Sequence, residues 1–167
     1  MKIFVLDFEP ELEAEKEFAL DINDNGDVVG LSDGRLFVGN PGLAIEFTEV
    51  VALSGLQINP DGVQITNPMG PIPAILSGVV DGGDGDQLFR MFIDGSGFEL
   101  APNNTDADGI GSELFHTNGD HDVNDLGDVT AVAFAYTPKG KKNRNSSWYA
   151  ALWPFNSNEI VPVGDTD

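Results

Sequence analysis

The sequence predicts an all-β protein of three repeated antiparallel units, each with about four strands. Three stretches share one pattern: an aliphatic β-branched residue, then Asn, two variable residues, Gly and a nearby Val, starting at Ile22, Ile58 and Val123. The pattern describes a strand, a tight turn and a returning strand. Short apolar segments separated by turn residues follow each copy, and the chain holds 20 Gly and 10 Pro. Together these observations favour a repeated β-sheet architecture over every helical one.

The first predicted unit runs from about 18 to 53. Its hairpin turns at Asn23–Gly26, and the strand that follows closes at the Pro41-Gly42 turn. The second unit runs from about 55 to 102, and its hairpin is expected to turn at Asn59–Gly62. Before the first unit, residues 2–8 read as a strand and residues 9–17 as a short helical turn or an exposed acidic connector.

The third predicted unit runs from about 115 to 163 and turns at Asn124–Gly127. Its later strand carries Trp153, which we expect in the core rather than on a sugar-stacking surface. Residues 1–167 therefore form a single repeat domain. Four strands per unit is the content of one propeller blade. Three blades cannot close a ring, so two copies could complete a six-bladed one, with the 2–8 strand finishing the last blade. A β-sandwich of the same strands is the alternative fold.

The charge of the chain limits its partners. The formal net charge is −20, from 28 Asp and Glu against 8 Lys and Arg. Nucleic acid is excluded as a partner because phosphate binding needs clustered cations. No apolar run is long enough to span a bilayer, so membrane insertion is not expected. The chain has no cysteine, and its first residues hold too few apolar side chains for a signal peptide.

The repeated pattern is similar to the HAF repeat of probable extracellular repeat proteins. That family carries an aliphatic-Asn-x-x-Gly-x-Val-x-Gly hairpin, followed later by an aromatic strand and a Gly turn. The first unit matches the hairpin best, and the third also keeps the later aromatic strand; the matching positions are Ile22, Asn23, Gly26, Val28 and Gly30 in the first unit, Val123, Asn124, Gly127, Val129, Leu152 and Trp153 in the third, and Ile58, Asn59 and Gly62 in the second. The resemblance implies propeller-like repeats and an extracellular or surface role. It implies no catalytic residues.

Acidic turns provide candidate calcium ligands, because Ca²⁺ prefers oxygen ligands at alternating positions with a Gly bend. The closest pattern is Asn104-x-Asp106-x-Asp108-Gly109, with Glu113 nearby. A second acidic turn holds Asp81, Asp84 and Asp86. The segment Asp21-x-Asn23-x-Asn25-Gly26 resembles the first half of a calcium-binding loop but lacks the acid expected at the twelfth position of such a loop. We therefore interpret it as a turn in which Asn bonds its own backbone. Calcium is therefore an optional stabiliser, and no other cofactor is expected.

The sequence favours a non-enzymatic binding or structural module that forms homo-oligomers and contacts a protein or glycan surface through turn-rich loops. The alternative is a glycan-acting hydrolase with acidic residues in a propeller channel. No Gly-x-Ser-x-Gly nucleophile motif is present. The two histidines, His116 and His121, lie five positions apart with acids nearby, but zinc would want a third strong ligand and nothing in the spacing requires such a site. Acids converging in a concave pocket would favour the enzyme; acids scattered over loops would not.

Overall fold

The protein is all-β, as the sequence predicts. The computed structural model describes residues 17–43, 45–81, 86–101, 104–105, 111–113, 121–135 and 147–163. Among these residues there is no α-helix. The strands are β1 Glu17–Ile22, β2 Val28–Ser32, β3 Arg35–Asn40, β4 Ile45–Glu49, β5 Gln57–Ile65, β6 Ile75–Asp81, β7 Asp86–Phe92, β8 Glu99–Leu100, β9 Asn104–Thr105, β10 Gly111–Glu113, β11 His121–Val123, β12 Val129–Ala135, β13 Ser147–Trp153 and β14 Val161–Val163. Short 3-10 helices cover Pro41–Leu43 and Val51–Leu53.

The strands form three antiparallel sheets in chain order. The first sheet is β1-β2-β3-β4 and the second is β5-β6-β7-β8. The third follows β14-β13-β12-β10-β9, with β11 also paired to β12. Each sheet therefore contains the predicted four-strand meander, and the third adds the two short strands β9 and β10. The predicted 2–8 strand and most of the 9–17 segment lie outside the described residues.

The repeated turn has the same hydrogen bonds in the first and third sheets. Asn23 Oδ1 accepts from the N–H groups of Asn25 and Asp27 at 3.1 and 2.9 Å. Asn124 Oδ1 accepts from Leu126 and Asp128, both at 3.0 Å. The following glycines, Gly26 and Gly127, have φ of 81° and 86°. A residue with a side chain would be strained in this backbone conformation. The prediction of a self-bonded turn at these two places is confirmed.

The second turn was expected at Asn59–Gly62, and that prediction is wrong. These residues lie inside β5, in a wide irregularity of the ladder between Asn59 and Gln64. Pro60 has no N–H to donate to the ladder, which fits the break in pairing between Asn59 and Gln64, and the strand continues beyond this bulge. The reversal comes later, where Thr66 takes the place of the turn Asn. Its Oγ1 accepts from Ile75 N–H at 2.9 Å, and its own N–H donates to Ile75 O at 2.9 Å.

The turns also join the sheets to one another. Asn23 Nδ2 donates to Thr66 O at 2.9 Å, and Asp24 N–H donates to Asn67 Oδ1 at 2.8 Å. Asn67 N–H in turn donates to Asp125 Oδ1 at 3.0 Å. The three hairpin turns therefore meet at one end of the molecule, on the side of the strands β1, β5 and β11.

The extra bond of Asn23 gives a testable difference between two matched turns. We expect Asn23→Ala to lower the free energy of unfolding by about 2 kcal/mol and Asn124→Ala by about 1 kcal/mol, because only Asn23 also bonds a neighbouring sheet. Urea denaturation of both variants measures the difference. Equal losses would contradict the assigned link between the first and second sheets.

The sheets pack face to face in a regular order. The registers of the central strand pairs, β2–β3, β6–β7 and β12–β13, define two faces for each sheet. We call one of them the A face; it carries Val29 in the first sheet, Ser77 in the second and Thr130 in the third. The opposite face is the B face. The core between the first two sheets joins an A face to a B face, and its buried residues are Val29, Leu31, Leu36, Val38, Val50, Leu53, Ile58, Val63, Ile65, Ala74, Leu76, Val80, Phe89 and Met91. The core between the last two sheets again joins an A face to a B face, and its buried residues are Val79, Leu88, Ala101, Val129, Ala131, Ala151, Trp153 and Ile160.

The middle sheet is therefore covered on both sides. Six consecutive residues of β6, from Ile75 to Val80, are buried. Trp153 lies in the core between the second and third sheets, as the sequence predicts.

Within the described part of the chain, no helix has the length and apolar character that a membrane span requires.

Candidate functional site

The predicted calcium ligands are only partly within the described residues. Asp81 and Asp86 form a cross-strand pair where β6 joins β7, and Asp81 is exposed. Asn104 lies in β9 and Glu113 in β10, which are neighbouring strands. The other three predicted ligands, Asp84, Asp106 and Asp108, lie outside the described residues. The described residues contain no group of three or more candidate metal ligands, and a calcium site stays a prediction.

An open groove runs between the first strands of the three sheets. It has a volume of about 420 Å³ and its walls come from β1, β5 and β11, with Asp21, Gln64 and Asp122 as the polar residues. The Asp21 carboxylate accepts from the N–H groups of Ile22 and Ile65, both at 2.8 Å, so it holds β1 to β5. The described acids named above, Asp81 and Asp86, are not among the groove's lining residues.

The cleft between the second and third sheets, which we call the second cleft, is filled by Arg90. The Arg90 side chain is 2% exposed, and its guanidinium lies 3.8 Å from the centroid of the Trp153 ring. It donates to Glu99 Oε2 at 2.9 and 3.0 Å. It also donates to the carbonyl oxygens of Gly127, Trp153 and Pro154, at 3.3, 3.3 and 2.9 Å. The space left in this cleft is about 50 Å³.

The cleft between the first and second sheets, which we call the first cleft, is open. It has a volume of about 680 Å³, within the range of small-ligand sites. It lies at the turn end of the two sheets; its lining residues are Asn25, Asp27, Val38, Gly39, Asn40, Thr48, Glu49, Val50, Val51, Ala52, Pro68, Pro73, Ala74, Ile93, Asp94 and Gly95. Three carboxylates therefore border an otherwise mostly small or apolar cavity.

The two clefts are built from equivalent positions of the repeat. Val28 pairs with Gly39 in the first sheet, and Leu76 pairs with Met91 in the second. When these two pairs are aligned, the residues that line the two clefts also align. The residues of the second cleft and their counterparts in the first are Ile75 and Asp27, Arg90 and Val38, Met91 and Gly39, Phe92 and Asn40, Glu99 and Thr48, Phe155 and Ile93, and Asn156 and Asp94. At every pair except the last, the first cleft has the side chain of smaller volume. It is larger because Val38 stands where Arg90 fills its counterpart.

The carboxylates of the first cleft are held by neighbours. Asp27 Oδ1 accepts from Asn40 Nδ2 at 2.7 Å and its Oδ2 from Asn23 Nδ2 at 2.9 Å. Glu49 Oε2 lies 3.2 Å from Arg35 Nη1 at the partly exposed rim. The Ser96 hydroxyl and N–H donate to Asp94 Oδ1, and these bonds hold the pKa of Asp94 below its usual range. Asp94 therefore stays charged at pH values where an ordinary aspartate begins to protonate.

Sequence reasoning did not identify the first cleft. The available signal was Arg90, a lone cation inside the apolar run Leu88 to Phe92. A charge in a buried strand needs partners, and its absence from the matching position of the first unit marks the open cleft. No family model, curated protein or solved structure matches this chain.

Proposed function

We propose that this protein is a non-enzymatic binding and structural module of propeller-blade-like units, which self-associates through the A face of its third sheet. One observation carries the proposal: positions that are buried on the first two A faces are exposed on the third. The occupant we propose for this face is a second copy of the chain.

The outer strands show the difference most clearly. Val50 and Ala101 pair with Leu36 and Leu88 in the first and second sheets, and they are 5% and 1% exposed. Val163 pairs with Ala150 at the equivalent place of the third sheet and is 53% exposed. Its neighbour Val161 is 46% exposed. Exposed apolar residues grouped on one sheet face are typical of an interaction surface.

The B face of the first sheet is the other end of the stack. Val28 and Phe37 on that face are already buried, although Ile22 at its edge is 62% exposed and the equivalent Ile65 is 7% exposed. A six-bladed ring of two copies would need the whole of that B face to be open. We therefore favour a twofold dimer in which the two third sheets pack back to back through their A faces.

Light scattering of purified protein tests this dimer. In about 0.15 M salt, where surface repulsion is screened, we expect the mass of two chains. The double variant Val161→Asp/Val163→Asp should have the mass of one chain, because four carboxylates would be desolvated across the twofold interface. Val51→Asp is the matched control. Val51 is 72% exposed but lies in the first unit, away from the proposed interface, so this variant should remain a dimer.

Two results would contradict the proposal: a monomer at every salt concentration, or an unchanged dimer of the double variant. Ile22→Asp separates the two arrangements. It should not affect a back-to-back dimer, whereas loss of the dimer on that substitution would support the ring.

The repeat type, the blade-like stacking, the location, the partner and the calcium site that the sequence predicts are part of this proposal. The matching turns at Asn23 and Asn124 support repeats of the HAF type. The order in which each A face meets the next B face supports units stacked as blades, and an extracellular or surface role follows from the resemblance alone. A protein or glycan surface as partner and calcium as a stabiliser also stay predictions.

A further inference from the structure

The second cleft shows what side chain this repeat places between two sheets. Arg90 crosses from β7 to the turn of the next sheet, where the carbonyl oxygens of Gly127 and Pro154 accept its hydrogen bonds. Glu99 on β8 balances its charge at 2.9 Å. A guanidinium suits this place because it is planar and presents several donors in fixed directions.

The first cleft keeps the carbonyl groups of that arrangement but has Val38 in place of the cation. Ala74 and Phe92 correspond to Gly127 and Pro154. Phe92 O accepts from Gly95 N–H as Pro154 O does from Ser157 N–H, and Ala74 O accepts from Ile93 N–H at 2.9 Å. Val38 and Thr48 replace the ion pair of Arg90 and Glu99.

The charges that border the first cleft differ from those of the second. Asp27 stands at the position of Ile75 and Asp94 at that of Asn156. Glu49 is a third carboxylate at the rim, where Arg35 pairs with it at 3.2 Å. The Ser96 hydroxyl and N–H donate to Asp94 Oδ1, and the Asp94 side chain is exposed at the cavity. Carboxylates around an apolar-walled cavity attract a cation with an aliphatic stem.

We propose that the first cleft binds the arginine side chain of a partner protein, with the guanidinium placed as Arg90 is in the second cleft. The volume of about 680 Å³ also accommodates the backbone that carries the arginine. The methylene stem would lie along Val38, Val50 and Ile93, and the guanidinium would meet Asp94 and Asp27. This site lies away from the A face of the third sheet, so the inference does not depend on self-association.

A titration with N-acetyl-arginine amide, followed by amide chemical shifts in NMR, tests the site. We expect saturable shifts at Val38, Ile93 and Asp94, with a Kd on the order of 1 mM for so small a probe. N-acetyl-lysine amide has the same charge and should bind at least about fivefold more weakly, since it lacks the planar donors. The citrulline analogue is neutral and nearly the same shape, and it should not saturate.

Two variants locate the binding. Val38→Arg/Thr48→Glu rebuilds the filled second cleft in the first and should abolish the arginine-dependent shifts. Asp94→Asn alters an exposed carboxylate and should weaken binding about tenfold without changing the fold, which keeps the test valid if the double variant does not fold. Equal binding of arginine and citrulline, or of the wild type and Asp94→Asn, would overturn the inference. So would shifts that arginine and lysine produce equally, as the general attraction of a −20 chain for cations predicts.

Discussion

Replacing Arg90 with methionine is expected to lower the free energy of unfolding by about 3 kcal/mol, a shift of about 9 °C in Tm for a chain of this size. Methionine keeps much of the volume and stem of arginine but has no donors. The carbonyl oxygens of Gly127, Trp153 and Pro154 would then lose a buried charged partner. The stacking on Trp153 at 3.8 Å would also be lost.

Arg35→Met is the matched control for that substitution. Arg35 also pairs with a carboxylate, Glu49 at 3.2 Å, and lies 5.5 Å from the centroid of the Phe37 ring. Its side chain is 39% exposed, and exposed ion pairs contribute about 0–1 kcal/mol. Calorimetry of both variants should therefore separate them by several degrees. Similar Tm values would mean that Arg90 does not join the second and third sheets.

Gly127→Ala is expected to destabilise the protein by about 3 kcal/mol. Gly127 has φ of 86°, a region that costs a residue with a side chain about 1 kcal/mol. An ideal Cβ at this position would also lie 2.5 Å from Ile75 Cδ1 and 2.8 Å from Phe155 Cδ2. Overpacking of that kind adds about 1–3 kcal/mol. Chemical denaturation measures the sum.

Gly34→Ala isolates the backbone cost from the packing cost. Gly34 has φ of 80°, and a Cβ there would meet no atom within 4 Å. We therefore expect a loss of only about 1 kcal/mol. If the two alanine variants were equally destabilised, the turn of the third sheet would not be seated against Ile75 of the second.

The sequence was sufficient to predict the fold class and two of the three hairpin turns, because local chemistry determines both. Asn23 and Asn124 bond their own backbone, and the glycines that follow occupy positive φ, so no distant residue is needed to define these turns. At Asn59 the same letters appear, but the chain continues as one strand through a bulge. Thr66 forms that turn instead, with Oγ1 in place of the Asn side chain.

The candidate site could not be predicted in the same way, because it depends on which faces of different sheets meet. The first cleft combines residues from β3, β4 and the two loops of the next unit, and nothing in the local sequence shows that they are neighbours. The equivalence of positions between units also comes from the strand registers. Phe89 pairs with Gly78 and Ala151 pairs with Ala131, so Phe89 and Ala151 occupy equivalent positions.

The coverage of β6 on both sides limits how such a chain can change during evolution. A substitution in the middle sheet has to satisfy two interfaces at once, since Leu76 and Val80 belong to one core and Val79 to the other. The end sheets each have a face or edge outside these two cores and can accept new side chains, or a further unit, without disturbing either core. Variation among related chains is therefore expected to concentrate in the terminal repeats, and duplication to extend the stack outward from its centre.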